Sequence, residues 1–390
     1  MALPWDLPAP EAGMARRPNA AGLGREALSA LLAALGEPAW RGGQLFSGLL
    51  RQRWTRWEQF SNLSKALRAR LEAEVDLAWP TIIQSEASSD GSTKHVFSLT
   101  DGRQVEGVFM PYEDRVTLCL SSQVGCAMGC TFCATGQMGI IRNLSAAEIV
   151  GQVVAMLNHH AHPQGRPVNL VFMGMGEPLH NFEHLMAAFA TLTDAEGLAI
   201  PPRRITVSTS GLVTGIDRLG SYARRPRLAL SLNGTTDERR SQTMPVNRVW
   251  NLAALAGALE RFPLQSGERI TLEYVLLKGV TDGLEDARRL VAFARRFPAK
   301  VNLIPFNPHE GAAGGAAPPA RSDGPQGAAQ DGPRVGVHFE PPDEIRVSAL
   351  CRLLAEAGLP VSVRRSRGQD VSGACGQLVR EGQKRGSGSC

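Results

Sequence analysis

Apolar residues in the first part of the chain recur with the period of a helix. "GREALSALLAALGEPAWRGGQLFSGLLRQRW" and "FSNLSKALRARLEAEV" set Leu and Ala on one face, with Gly and Pro as punctuation. They predict a helical accessory module over residues 22–78. The rhythm then shortens. "TIIQSEASSDGSTKHVFSLTDGRQVEGVFM" holds brief β-type runs parted by two Asp-Gly turns, which predicts a small β meander over residues 79–114. From residue 115 onward come six nearly continuous apolar runs: "RVTLCLS", "VNLVFMG", "RITVSTS", "RLALSLN", "ITLEYVLL" and "KVNLIPFN". Runs of this kind suit parallel strands buried on both faces. Helical segments such as "SAAEIVGQVVAML" and "LEDARRLVAFARRF" lie between them. The alternation predicts an α/β core over residues 115–310, open or closed as a parallel β/α barrel. In residues 337–380, "PDEIRVSALCRLLAEAG" reads as a helix and "PVSVRRS" as a strand.

Composition adds limits. Residues 1–21 and 381–390 read as tails, and the Gly-, Ala- and Pro-rich stretch 311–336 as a disordered loop, because none of these could build a core. Hydrophobic residues make up 43% of the 390, enough for a large core elsewhere. The net charge of +5 admits a nucleic-acid partner and fits a solvated basic surface equally well. The first twenty residues lack the apolar core of a secretory signal. A spanning helix needs about 18 consecutive apolar residues, and no such run occurs, so no membrane partner is expected. Three of the seven cysteines cluster tightly, which suits a reducing, cytoplasmic setting.

That cluster, "SSQVGCAMGCTFCATGQMG", spaces Cys126, Cys130 and Cys133 as CxxxCxxC. Two metal readings compete. A structural zinc ion wants four closed ligands, and Cys119 could supply the fourth. A [4Fe-4S] cluster held by three thiolates leaves one iron open for a small chelating molecule. Polar, Gly-containing motifs after the apolar runs bear on the choice: "MGMGEP" with Gly176 and Glu177, "STSG" with Ser208, "SLN" with Ser231 and Asn233, and "FNP" with Asn307. The C-terminal ends of β/α-barrel strands form the active-site rim. "STSG" alone would pass as a helix cap. Four such motifs in register with the predicted strands favour a ligand site.

Taken together, "RVTLCLSSQVGCAMGCTFCATGQMG", "MGMGEP", "RRITVSTSG", "MPVNR", "NLIPFNP" and "SRGQDVSGACGQL" resemble the RlmN-type dual-specificity RNA adenine methyltransferases of the radical S-adenosylmethionine (SAM) superfamily, from about residue 22 to 380. The resemblance implies a partial (β/α)6 radical-SAM barrel behind an N-terminal helical and β accessory region. It implies a [4Fe-4S] cluster on Cys126, Cys130 and Cys133. Two SAM molecules per turnover would contact Gly176, Glu177, Ser208, Ser231, Leu232, Asn233 and Asn307. Many relatives carry His where Asn233 stands; Asn keeps hydrogen-bonding capacity without imidazole chemistry.

The implied reaction is methylation of carbon-2 of an adenine in 23S rRNA and of the adenine beside the anticodon in tRNA. Carbon-8 of the same rRNA adenine is the alternative within this chemistry, and a zinc-stabilised RNA-binding protein is the alternative outside it. Carbon-2 is too electron-poor to attack a methyl cation donor, so the family uses a radical route. By resemblance, Cys375 is the cysteine that is methylated and then bridged to the base. Cys119 resolves the adduct through a disulfide with Cys375, and Glu106 removes the ring proton. Read on their own, Cys119 and Cys375 are small buried residues and Glu106 a strand carboxylate. Cys351 keeps that plain reading in a helix rhythm, and Cys390 is a tail thiol. The implied partners are the two RNAs and an electron donor such as flavodoxin or ferredoxin, with the enzyme acting as a monomer. In "RQRWTRW", Arg51, Arg53 and Arg56 beside Trp54 and Trp57 suit RNA contact and fit an amphipathic helix equally well. Arg203, Arg204, Arg364, Arg365 and Arg367 are further candidates for phosphate.

Overall fold

The computed structural model describes residues 17–309 and 339–378. Residues 1–16, the low-complexity loop at 311–336, the 381–390 tail and Cys390 lie outside them. The helical region holds α1 (Arg25–Ala34), α2 (Arg41–Phe46) and α3 (Lys65–Glu74). Ser64 caps α3 by accepting a hydrogen bond from the Leu67 amide. Leu28, Leu32, Leu45, Phe46 and Leu71 are fully buried, which makes the apolar face of these helices a core.

The Asp-Gly turns give β1 (Thr81–Ala87), β2 (Thr93–Ser98) and β3 (Gln104–Pro111), paired antiparallel in sequence. β3 then pairs with β4 (Val116–Cys119), so the meander continues the barrel sheet and shares its hydrogen bonds. A short ribbon, β5 (Gln123–Gly125) with β6 (Ile140–Asn143), brackets α4 (Ala134–Gln137) and the cysteine loop.

The parallel part follows as α5 (Ala146–His159), β7 (Val168–Phe172), α6 (Phe182–Thr193), β8 (Ile205–Thr209), α7 (Val213–Gly220) and β9 (Arg227–Ser231). It continues through α8 (Asp237–Thr243), α9 (Leu252–Arg261), β10 (Ile270–Leu276), α10 (Leu284–Ala294), β11 (Ala299–Pro305), α11 (Glu344–Glu356) and β12 (Val361–Val363). The sheet order is β1-β2-β3-β4-β7-β8-β9-β10-β11-β12, ten strands in one sheet. Within this sheet every pairing from β4 to β12 is parallel. The fold is thus an open β/α barrel extended on one edge by antiparallel strands. Each of the six apolar runs is one of its parallel strands. Side-chain caps start several of the helices: Ser145 and Glu148 form a reciprocal box at α5, Asn251 caps α9 and Asp343 caps α11. Among the described residues no helix is long and apolar enough to cross a membrane.

Candidate active site

The cysteine loop is tied down at several points. The Cys126 amide donates to the Gly139 carbonyl at 3.0 Å, and the Thr131 amide to the Thr243 carbonyl at 3.0 Å. The segment around Cys375 closes over it. The Ala134 amide donates to the Gly376 carbonyl at 2.8 Å, and the Thr135 hydroxyl to the Leu378 carbonyl. Cys126, Cys130 and Cys133 line one cleft together with Gly176, Glu177, Ser208, Ser231, Asn233, Asn307 and Cys375. Sulfur, carboxylate, hydroxyl and amide groups thus share one cleft with the apolar Phe172, Met244 and Phe306.

The strand-end motifs converge as expected for a barrel rim, each with a local cause. Gly176 has φ +102°, and a Cβ there would lie 2.6 Å from that of Gln123, so only glycine lets the two loops meet. Glu177 is buried; its two oxygens accept from the amides of Ser210 (2.7 Å) and Leu179 (3.2 Å). Burial raises its carboxyl, and the Ser210 amide acts the other way. The hydroxyls of Ser208 and Ser231 lie 3.1 Å apart. Asn233 has φ +47°, a region that Asn tolerates, and its Oδ1 accepts from the Val275 amide at 2.8 Å. Asn307 donates to the Cys375 carbonyl at 3.0 Å and accepts from the Gln369 side chain at 2.7 Å. Leu232 is the exception. Its side chain is fully buried in the core, away from the cleft lining.

Burial raises the Cys126, Cys130 and Cys133 thiols, and neighbouring thiols push the same way. Such a set ionises readily only against bound positive charge, as thiolate ligands of a metal cluster do. Arg240 supplies part of that charge. It is fully buried, donating to the Leu232 carbonyl (2.9 Å), the Asn247 side chain (3.0 Å) and the Ser210 carbonyl (2.5 Å). Burial brings its guanidinium down to about 10, and Cys130 opposes that. The donor set therefore fits an iron–sulfur cluster with a polar-rimmed ligand beside it. Cys119 is absent from this lining and is not placed as a fourth zinc ligand.

Cys119 instead ends β4 and lines a second cavity with Val108, Met110, Tyr112, Arg365 and Arg367. Cys375, Met173 and Arg364 line both cavities and so form the wall between them. Burial pushes the Cys119 thiol up to about 12, the Cys375 thiol adds to this, and Arg364 works against it. Among the described residues every cysteine is a free thiol, so the disulfide expected between Cys119 and Cys375 is not present. Both sulfurs instead flank the Arg364 guanidinium, whose proton is held most strongly by Cys375. Glu106 lies on β3, is 1% exposed, and lines neither cavity. Its Oε1 is 3.8 Å from the Lys94 ammonium, which also pairs with Glu86 at 3.1 Å.

Several expected RNA contacts are internal. Trp57 is buried, and Trp54 packs edge-on against Phe60 at 5.0 Å, so the two tryptophans serve the helical core. Arg53 donates to the His162 carbonyl at 2.8 Å. Arg364 turns inward to Glu273 at 3.9 Å, while Arg367 donates to the Pro111 carbonyl at 2.7 Å. Arg204 donates to Asn169 at 2.9 Å. Arg51, Arg56, Arg203 and Arg365 remain on the surface. Motif reading missed Arg240, Lys94, Gln123 and Glu273. Only Lys94 carried a signal, since it alternates with His95 on a strand and so faces the Glu106 row.

Residues 120–291 match the radical SAM superfamily, and residues 18–77 match the ribosomal RNA large subunit methyltransferase N-terminal domain. The chain is 44% identical over 388 residues to the dual-specificity RNA methyltransferase RlmN 2 of Myxococcus xanthus, covering 98% of this chain and 96% of that protein. It is 43% identical over 355 residues to the dual-specificity RNA methyltransferase RlmN of Geotalea uraniireducens, covering 90% and 93%. A crystal structure of a radical SAM methyltransferase from Sphaerobacter thermophilus superposes with a TM-score of 0.82 at 39% identity, covering 93% of this chain and 99% of that one.

Proposed function

Since the chain belongs to the RlmN family of radical SAM RNA methyltransferases, we propose that it methylates carbon-2 of one adenine in 23S rRNA and of the adenine beside the anticodon in tRNA. Its cofactors are a [4Fe-4S] cluster and SAM. Together they supply one-electron cleavage of a carbon–sulfur bond, a chemistry that reaches a ring carbon unable to act as a nucleophile.

The observation that carries the reading is the position of Cys375 in the wall between two cavities. From there one thiol serves both: it takes a methyl group on the cleft side and presents it to a base on the other. Cys126, Cys130 and Cys133 hold the cluster. Gly176, Glu177, Ser208, Ser231, Asn233 and Asn307 hold SAM, with Leu232 contributing through its backbone. The adenine enters the second cavity past Tyr112 and Arg365. The Arg364 guanidinium, whose proton the neighbouring Cys375 helps to hold, stands in the same wall as that thiol. Cys119 attacks the bridged sulfur to release product. Glu106 accepts the ring proton; it shares a strand face with Val108, which lines the second cavity. An external donor such as flavodoxin or ferredoxin provides electrons, and the enzyme works as a monomer.

The test is mass spectrometry of modified nucleosides from a deletion strain, before and after complementation. Return of 2-methyladenosine in both RNAs supports the proposal. Return of 8-methyladenosine would move the reaction to carbon-8, and no methylated adenosine would refute it.

A further inference from the structure

Where the meander meets the first barrel helix, three imidazoles converge. His95 comes from β2 and is fully buried. His159 ends α5, and His160 is its C-cap residue. The ring centroids are 4.9 Å apart for His95 and His159, 5.0 Å for His95 and His160, and 5.0 Å for His159 and His160. The interplanar angles are 72°, 67° and 71°. One nitrogen from each ring lies within 4.8 Å of the others.

A simple imidazole pair does not call for this arrangement. His95 Nε2 and His160 Nε2 are 2.8 Å apart, a hydrogen-bond distance, and those two rings would satisfy each other. The exposed His159 would then be free to turn to water. Instead it completes a near-threefold propeller. A tetrahedral ion at the usual zinc–imidazole distance of about 2.0–2.1 Å holds three ring centroids about 5 Å apart, with donor nitrogens about 3.3 Å apart. Binding therefore asks His95 and His160 to part by about half an ångström.

The surroundings fix the rings. Ser85 Oγ lies 2.8 Å from His95 Nδ1, so a proton on Nδ1 leaves the Nε2 lone pair facing the centre. Phe109 stacks on His160 at 3.7 Å and 12°. The C-terminal end of α5 carries the negative end of its helix dipole, which favours a cation there. His162, nearby in sequence, is turned away, with its Nε2 3.2 Å from the Arg166 carbonyl.

We propose that His95, His159 and His160 bind one zinc ion, with water as the fourth ligand. Imidazole-only donors suit zinc and its neighbours in the first transition row. The ion staples β2 to α5 and so fixes the meander against the barrel. This inference stands on the imidazole geometry and is independent of the RNA reaction.

The experiment uses the cluster-loaded enzyme, handled without oxygen. Zinc chloride is titrated against a fluorescent zinc indicator, retained zinc is counted by elemental mass spectrometry, and X-ray absorption at the zinc edge reports the ligand atoms. The expected result is one zinc per chain beyond the cluster iron, with nitrogen and oxygen ligands at about 2.0–2.1 Å. His159→Ala alters an exposed side chain and should keep its fold by circular dichroism. It should weaken zinc binding by at least about 100-fold, because losing a group that merely supports a ligand already costs a metal site up to about that much. Zinc should raise the melting temperature of the wild type and leave that of His159→Ala unchanged. Retention of no extra zinc, sulfur among its ligands, or equal affinity in His159→Ala would each overturn the site.

Discussion

Cys375 and Cys119 face the same guanidinium from different surroundings, and their variants should separate two steps. Cys375→Ala should retain cluster iron and SAM cleavage while forming no methylated RNA. Cys119→Ala should accumulate protein joined to RNA, seen as a nuclease-sensitive shift on a denaturing gel, and the double variant should show no shift. Normal turnover by Cys119→Ala would return that residue to a plain strand role. With the Cys119 thiol pushed up to about 12, its thiolate is scarce at neutral pH and grows as pH rises. Adduct release in single-turnover assays should therefore quicken by about tenfold per unit between pH 7 and 9. Arg240 makes a separate prediction. Replacing it by Leu strands the Leu232 and Ser210 carbonyls and the Asn247 amide oxygen, at a cost on the order of 3–5 kcal/mol in urea unfolding. The cysteine triad was legible because its ligands lie within eight residues of sequence. Arg240 was not, because its acceptors come from three separate loops. Trp54 and Trp57 show the opposite failure: their neighbours in sequence suit RNA, and only tertiary packing reveals them as core.

At the scale of elements, six of the seven parallel strands, all but β12, were readable because burial on both faces writes a continuous apolar run. The joining of β3 to β4 was not readable, because edge pairing depends on backbone groups common to every residue. A contact equally hidden from sequence holds the Cys375 segment. The turn between β1 and β2 and this segment grip each other, each through one carboxylate. Asp90 accepts from the Gly368 amide at 2.8 Å, and Asp370 accepts from the Ser89 amide at 2.9 Å and the Ser88 hydroxyl at 2.5 Å. Against the upward push of partial burial, hydrogen bonds from Ser92 and Gly368, with Arg367 nearby, hold the Asp90 carboxyl down at about 2. A depressed carboxyl stabilises the fold above its ordinary value and ceases to as pH falls through the folded one. This grip is complete above about pH 4 and is lost toward pH 2. Asp90→Asn removes the charge at neutral pH. Amide exchange at Gly368 and Gly373 should then speed by about tenfold, corresponding to about 1.4 kcal/mol. Unchanged exchange would mean that the segment is held by its other contacts, Asp370 with Ser88 and Ser89 and Asn307 with the Cys375 carbonyl, without the Asp90 charge.

For the whole molecule, a net charge of +5 matters only where it is free to meet phosphate. Arg367 and Arg364 are spent on internal contacts, which leaves Arg365 as the exposed cation at the mouth of the second cavity. Arg365→Glu should weaken RNA binding by about tenfold at 0.1 M salt and flatten the salt dependence by about one ion, with SAM cleavage unchanged. The closure of the cysteine cleft by the Cys375 segment also sets an order of events in time. The three cluster thiols and the ribbon that brackets them are made early, while the residues that cover them, Gly376 and Leu378, come near the end of the chain. At about 5–20 residues per second, synthesis leaves roughly 10–50 s in which the loop exists without its cover. Iron and sulfide arriving during that interval would meet the loop uncovered, and later they would have to pass the Cys375 segment. Nascent chains halted before residue 360 should label at Cys133 faster than the finished protein does, because the segment that bonds to Ala134 and Thr135 beside it has not yet been made.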